Sequence, residues 1–154
     1  MALALFVFIA WIIISVYFFV PKRLSMEENT LLFFFFTIIT TNMFTIVDLD
    51  LKLIQHSDKL DMFISFWIFR NIIIPLSLII FVNSINTLKS KAKKFVTLLV
   101  FLFLYSIDLL AFSIGLMTCG SNLYLGSGVL LAILMLTAFL TMKLVSRLPE
   151  GKSI

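Results

Sequence analysis

The sequence is short of charge, cysteine, histidine and glycine, and each shortage excludes a class of protein. Charged residues make up 13% of the 154 residues, and there are one cysteine, one histidine, five glycines and three prolines. The single Cys119 excludes an intramolecular disulfide and every metal site that needs several cysteines. The single His56 has no nearby cysteine or second histidine to complete a zinc site. We therefore predict neither a cofactor nor a metal site.

Catalytic motifs that spacing can identify are also absent. The sequence has no HExxH, no phosphate-binding glycine loop, no CxxC and no GxSxG. Gly126-Ser127-Gly128 is similar to the GxSG serine motif of rhomboid-type intramembrane proteases, but the first glycine is missing. An intramembrane aspartyl protease needs two aspartates at similar depth, and only Asp108 lies clearly inside an apolar run. We therefore predict that the protein is not an enzyme.

Hydrophobic residues are the abundant class. They make up 62% of the sequence, and the mean hydropathy of +1.16 is far above that of a soluble domain of this size. They form five runs, and a helix of ~20 residues is enough to cross a bilayer core of ~30 Å. The sequence thus predicts a single all-α polytopic membrane domain with five transmembrane helices, at about 2–20, 31–47, 62–86, 95–117 and 125–142.

The basic residues are distributed unequally between the two ends of these helices. Nine of the twelve lysines and arginines fall in 21–30, in 87–94 and after the last helix. The opposite side has Lys52 and Lys59, and Arg70 lies within an apolar run. Because cytoplasmic connections retain lysine and arginine, this pattern predicts an N-out/C-in orientation. Basic residues follow the first run, whereas in a cleavable signal peptide they precede it.

The densest positive cluster consists of Lys89, Lys91, Lys93 and Lys94. Its first role is to keep this connection in the cytoplasm. Lysines at a membrane surface also attract anionic lipid headgroups, at ~1 kcal/mol for each basic residue. No nucleic-acid-binding module surrounds the cluster, so we predict anionic lipid as its partner and no nucleic acid.

Arg70 and Asp108 are the two charged residues inside apolar runs. At 1.5 Å per residue, Asp108 lies ~20 Å from the cytoplasmic end of the fourth predicted helix, and Arg70 lies ~24 Å from the cytoplasmic end of the third. Arg70 belongs to the third helix if that helix starts at Met62, and it precedes the helix if the helix starts at Asn71. Opposite sign and similar depth predict an ion pair. Such a pair holds two helices together, or it belongs to a transporter in which Asp108 binds a proton or cation and releases Arg70. Separate snorkelling of the two side chains is the remaining interpretation.

Uncharged polar residues lie near the same region. Thr41 and Asn42 belong to a threonine-rich stripe of the second helix, which either packs against another helix or lines a translocation path. In the third helix, Pro75 predicts a kink, because proline leaves carbonyls of the preceding turn without a backbone donor. The side chain of Asn71 or Arg70 can donate to these carbonyls.

Two short motifs lie at the ends of the second helix. They are PKRLS at 21–25, followed by two glutamates, and DLDLK at 48–52. Within the first, Ser25 and Glu28 form the pattern of a capping box, which predicts that the second helix begins before the membrane does. Together the motifs resemble uncharacterised small polytopic membrane proteins of spore-forming bacilli and clostridia. The resemblance covers the first half of the chain and implies a bacterial plasma membrane, but it implies no catalytic or binding residue.

The leading hypothesis is a non-enzymatic integral membrane protein of a bacterial plasma membrane with a structural, assembly or sensory role. The alternative is a small proton- or cation-coupled transporter or channel subunit. Because five helices offer a narrow pore at best, transport would favour a homo-oligomer or a membrane protein partner. The two hypotheses differ in whether Arg70, Asp108 and Asn42 converge on one wet cavity.

Overall fold

The computed structural model describes residues 1–22, 24–46, 55–56, 59–88, 90–118 and 123–145. These residues are helical apart from short connections and one pair of two-residue strands, which confirms the predicted all-α class. The strands β1 (Gln55–His56) and β2 (Met117–Thr118) pair antiparallel. A π-helical turn, Phe69–Ile73, joins the third helix to the fourth. The helices are α1 (Ala2–Phe19), α2 (Met26–Thr45), α3 (Leu60–Ile68), α4 (Ile74–Thr87), α5 (Ser90–Ser113) and α6 (Leu123–Val145).

Four helical segments among the described residues are long and apolar enough to cross a membrane. They are Ala2–Phe19, Leu60–Ile85, Lys91–Ser113 and Gly126–Lys143. The second of these combines α3, the π-helical turn and most of α4. Large apolar side chains cover the outward faces of the helices, among them Phe8, Trp11, Phe34, Leu98 and Leu136. Long apolar helices with an apolar exterior are the features of a membrane-embedded protein.

The segment Leu60–Ile85 is the centre of the fold. Of its most apolar window, 61% is buried, compared with 22% for α1, 28% for α5 and 33% for α6. α4 packs against α1, α2, α5 and α6. At the start of the π-helical turn, Phe69 is fully buried between Phe6 of α1 and Phe44 of α2, whose ring centroids lie 6.0 and 6.2 Å away in edge-to-face geometry. The other helices are therefore arranged around one central span.

The segment Leu60–Ile85 is helical through Arg70, which lies on its π-helical turn. The helix therefore starts before Arg70, as in the first of the two predicted geometries, although at Leu60 rather than Met62. Asp61 lies in the first turn of α3, where the positive end of the helix dipole stabilises a carboxylate.

The predicted capping box at the start of α2 is confirmed. The Glu28 amide donates to the Ser25 hydroxyl at 3.1 Å, and the Ser25 amide donates to the Glu28 carboxylate at 2.7 Å. The helix consequently begins at Met26, five residues before the predicted apolar start at Leu31. The predicted end of this helix at Val47 lies outside the described residues.

The last two helices have different bounds from the apolar runs that predict them. α5 occupies Ser90–Ser113 rather than 95–117, and α6 occupies Leu123–Val145 rather than 125–142. The extra residues at the start of α5 include lysine and alanine, which are good helix formers outside the membrane as well as inside it. The apolar runs therefore underestimate where these helices begin.

A glycine explains the early end of α5. Gly115 has a φ of +76°, a conformation that side chains with a Cβ disfavour. The Leu116 amide donates to the carbonyl of Ala111 at 3.0 Å, and the Gly115 amide donates to that of Phe112 at 3.0 Å. These two bonds form a Schellman motif, which closes the helix although the sequence stays apolar to residue 117.

Candidate functional site

The structure places the two predicted intramembrane charges in different helix pairs. Asp108 of α5 is 2% exposed and has a side-chain hydrogen bond with Ser127 of α6. Arg70 lies on the π-helical turn, which packs against α1, α2, α3 and α4. Its guanidinium carbon is 5.4 Å from the centroid of the Phe66 ring, within the range of a cation–π contact. Similar depth thus does not bring these two residues into contact, because depth does not determine which neighbour each helix face meets.

Small residues in α6 surround the Asp108 contact. Ser127 is flanked by Gly126 and Gly128, and a Cβ on Gly128 would lie 3.5 Å from Cε2 of Tyr105 in α5. This distance is an ordinary van der Waals contact, so the Tyr105 ring of α5 lies beside Gly128 of α6. Among the described residues, Oδ2 of Asp108 is buried and has no hydrogen-bond partner. The carboxylate therefore has one identified hydrogen bond and one buried oxygen without any.

Thr41 and Asn71 meet across the interface between α2 and the π-helical turn. The Thr41 hydroxyl donates to Oδ1 of Asn71 at 2.9 Å. Nδ2 of Asn71 donates to the carbonyl of Trp67 at 3.0 Å, so this amide is satisfied on both sides although it is 8% exposed. The Ile74 amide reaches back to the carbonyl of Phe69, five residues earlier, immediately before Pro75. The side-chain amide of Asn71 thus bonds a backbone carbonyl next to a π-helical turn and a proline, where the regular pattern of backbone hydrogen bonds is interrupted.

The other residues of the threonine-rich stripe are Thr37, Thr40, Asn42 and Thr45. Three of them are satisfied within their own helix, whereas the fully buried hydroxyl of Thr40 has no hydrogen-bond partner among the described residues. Asn42 is exposed and donates to a carbonyl one turn earlier at 2.9 Å. Thr37 and Thr45 likewise donate to carbonyls four residues earlier at 2.8 Å. In the described part of the chain, Arg70, Asp108 and Asn42 consequently do not meet in one contact. This arrangement favours the packing interpretation of the stripe.

The most extensive polar contact is one that the sequence reasoning missed. Nδ2 of Asn83 in α4 donates to Oδ1 of Asn29 in α2 at 2.7 Å. Nδ2 of Asn29 donates to the carbonyls of Leu24 and Ser25 at 2.9 and 2.8 Å, and the Leu24 amide reaches Oδ1 of Asn83 at 3.4 Å. The two asparagines are 2% and 1% exposed. The available sequence signal was an asparagine within the apolar run of α4, where an unpaired amide would be costly.

The two interhelical contacts of α2 share one register. Asn29 and Thr41 are twelve residues apart, and so are their partners Asn83 and Asn71. The order of the partners is reversed, so α2 runs antiparallel to the central span. Twelve residues correspond to ~18 Å of helix, which is more than half of a bilayer core of ~30 Å.

The predicted lipid-contact lysines lie in the first turns of α5. Lys91 and Lys94 are exposed and Lys93 is partly exposed, whereas Lys89 lies outside the described residues. At the end of α1, Nζ of Lys22 lies 4.4 Å from the centroid of the Tyr17 ring. An aromatic ring beside a lysine is common where a helix leaves the membrane.

No described group of three or more histidine, cysteine, aspartate or glutamate residues is placed to hold a metal ion. Comparisons of the chain with protein-family models, with curated proteins and with solved structures find no match. The resemblance carried by 21–25 and 48–52 therefore stays a prediction.

Proposed function

We propose that the protein is a non-enzymatic integral membrane protein of a bacterial plasma membrane, in which five helices cross the bilayer N-out/C-in. Its role is structural, in assembly or in sensing. The observation that carries the proposal is the antiparallel register of α2 on the central span, through Asn29–Asn83 and Thr41–Asn71.

This register bears on the number of spans. α2 is not among the four helices that are apolar enough to cross a membrane by composition, since it includes Glu27, Glu28 and the threonine-rich stripe. However, it follows the central span for ~18 Å, and a helix parallel to a membrane-spanning helix over that length shares its direction through the bilayer. Apart from the buried Thr40 hydroxyl, the side-chain hydroxyl and amide groups of α2 are bonded to α4, to the π-helical turn or to backbone carbonyls. These bonds lower the cost of placing the groups in lipid. α2 therefore fits a fifth span that depends on its neighbours.

Five spans place the basic segments on one side. Lys22, Lys91 and Lys143 then share the cytoplasmic face, as the positive-inside rule requires. Four spans without α2 would put Lys91 on the outside with the other lysines of its cluster. At the cytoplasmic face, the lysines of α5 contact anionic lipid, which is the partner we propose for them.

The structural role follows from how the buried polar groups are used. Each buried asparagine or aspartate described above bonds to a neighbouring helix, through the contacts Asn29–Asn83, Thr41–Asn71 and Asp108–Ser127. Interhelical hydrogen bonds of this kind specify how membrane helices pack. Most described residues belong to helices, so a partner membrane protein or a second copy would meet helix faces and short connections.

Cysteine labelling tests the topology. In a Cys119→Ser background, Lys22→Cys, Lys59→Cys and Lys91→Cys are each treated with a membrane-impermeant maleimide, on intact cells and after lysis. We expect Lys59→Cys to be labelled on intact cells, and the other two only after lysis. Labelling of Lys91→Cys alone on intact cells would instead indicate four spans with α2 at the surface. Labelling of Lys22→Cys and Lys91→Cys without Lys59→Cys would reverse the orientation but keep five spans.

The transporter alternative is supported by two buried side-chain oxygens without a hydrogen-bond partner among the described residues, Oδ2 of Asp108 and Oγ1 of Thr40. As the sequence predicts it, this alternative requires an ion pair between Asp108 and Arg70. We expect Arg70→Leu and Asp108→Leu to change the free energy of unfolding additively, within ~0.5 kcal/mol, because these residues contact different helices. A coupling energy above that value would indicate that the two charges do pair in the membrane.

A further inference from the structure

Asp108 is the most completely buried charged side chain described in a membrane-spanning helix. It is 2% exposed, it has a hydrogen bond with Ser127, and its Oδ2 has no hydrogen-bond donor among the described residues. An ionised carboxylate in this position would lack most of the donors that stabilise it, and burying a charge in that state is expensive. A neutral carboxyl group in the same place is far less costly. The geometry of the contact therefore suits a carboxyl group that carries a proton.

No described cation faces Asp108 from the elements that pack on α5. α4 and β2 contain no ionisable residue, and α6 contains Tyr124 and Lys143, of which Lys143 is exposed at the far end of the helix. On α5 itself, Tyr105 lies one turn earlier, and the closest lysine in sequence, Lys94, lies fourteen residues earlier, at ~21 Å along the axis. Charge compensation from these elements is therefore too distant to replace a proton.

The size of the contact limits what can bind. Hard metal cations take about six or more oxygen ligands. Among the described residues, the polar side chains identified in this contact are one carboxyl group and one hydroxyl group, those of Asp108 and Ser127. One carboxyl group and one hydroxyl group are too few ligands for such a cation, whereas a proton needs only one oxygen atom.

We propose that Asp108, together with Ser127, is a proton-binding site between α5 and α6. With the proton bound, the two helices pack as observed. Loss of the proton leaves a carboxylate that needs additional donors or water, so deprotonation favours separation of α5 from α6. This inference rests on the proposed membrane location, and it adds a ligand that the structural role does not require.

A hydrophobic carbodiimide tests the site. Dicyclohexylcarbodiimide adds to a protonated carboxyl group in an apolar environment, and the adduct rearranges to a stable N-acylurea that mass spectrometry locates. The full-length protein in membranes is labelled at mildly acidic and at alkaline pH, with and without excess sodium. We expect label on Asp108 that decreases as the pH rises, that sodium does not prevent and that Asp108→Asn abolishes.

Two hydroxyl deletions provide a matched comparison. Ser127→Ala removes the hydroxyl that bonds Asp108, whereas Ser106→Ala removes an exposed hydroxyl on α5 that donates to a carbonyl of its own helix at 2.7 Å. Because a donor stabilises the ionised form, Ser127→Ala should move the half-labelling point to higher pH, and Ser106→Ala should leave it unchanged.

Three results would overturn the proposal. These are protection of Asp108 by sodium, labelling that does not depend on pH, and absence of label on Asp108 while a water-soluble carbodiimide modifies the exposed Glu27. Extraction of the same membranes with alkaline carbonate tests separately whether the protein is integral, because carbonate releases peripheral proteins and leaves integral proteins in the membrane. An integral protein without label at Asp108 would refute the proton site alone.

Discussion

Replacing Asn83 with leucine tests the contact that connects α2 to the central span. The substitution preserves approximate size but removes the donor to Oδ1 of Asn29 and the acceptor for the Leu24 amide. Asn29 keeps its bonds to the carbonyls of Leu24 and Ser25, so one of its two polar atoms loses its partner. The reciprocal variant, Asn29→Leu, removes the acceptor for Nδ2 of Asn83 and the side-chain donor to the carbonyl of Leu24. Nδ2 of Asn83 then keeps its bond to the carbonyl of Ile79 at 3.1 Å.

The magnitude follows from what each variant leaves unsatisfied. A buried polar group without a partner costs ~1–3 kcal/mol, so each single variant should lower the free energy of unfolding by that amount. The double variant removes both ends of the bond and should be less destabilised than the sum of the two. Hydrogen bonds between membrane helices contribute ~0.6 kcal/mol on average and up to ~1.7 kcal/mol. We therefore expect a coupling energy of about 1 kcal/mol between Asn29 and Asn83.

The assay is reversible unfolding in detergent for the wild type, the two single variants and the double variant. Asn42→Leu is the matched control, because Asn42 is an exposed asparagine of α2 that bonds to its own helix. Combined with Asn83→Leu, it should give additive changes. If Asn29 and Asn83 are additive within ~0.5 kcal/mol as well, the bond contributes nothing to packing. The argument for α2 as a fifth span would then lose one of its two contacts.

Three further pairs of measurements use the same assay. Thr41→Val should be more destabilising than Thr45→Val, by ~0.6–1.7 kcal/mol, because the Thr41 hydroxyl bonds another helix and the Thr45 hydroxyl bonds its own; equal effects would contradict the interhelical bond. Gly115→Ala should destabilise by ~1–2 kcal/mol because its φ is +76°, whereas Gly128→Ala, at a helical position with ordinary van der Waals space, should be neutral or stabilising by up to ~1 kcal/mol. A loss at Gly128 as large as at Gly115 would refute the conformational explanation. Ser25→Ala should cost ~0.5–2 kcal/mol and Ser25→Asp much less, since aspartate also caps helices; equal losses would show that capping is not the cause.

Features that depend on neighbouring residues in sequence could be predicted. The all-α class follows from the long apolar runs, and the capping box of Ser25 and Glu28 follows from a spacing of three residues. Gly115 was also within reach, because a glycine after a long helix is a common stop signal. It was missed because the apolar run continues through Leu116 and Met117, and hydropathy does not detect backbone conformation.

Contacts between helices could not be predicted in the same way. The rise of 1.5 Å per residue gives the depth of Arg70 and Asp108, but the partner of each depends on helix rotation and on which helices are adjacent. Asp108 contacts Ser127, and the sequence alone indicates Ser127 only through its similarity to a protease motif. The Asn29–Asn83 contact was missed for the same reason, since a lone asparagine in an apolar run indicates that a partner exists but does not identify it.

The π-helical turn at Phe69–Ile73 sets the rotational phase of the central span. One additional residue within a helix turns everything after it by about 100° relative to a regular α-helix. α3 presents its residues to α1, and α4 presents buried residues to α1, α2, α5 and α6. Removing one residue from the turn would restore a regular helix and rotate one half against the other, so that Asn83 and Asn71 would no longer face α2 together. The length of the five-residue turn therefore determines which faces of α3 and α4 meet the neighbouring helices. A substitution in the central span changes one contact, but a single deletion in the turn would change nearly all contacts on one side of it.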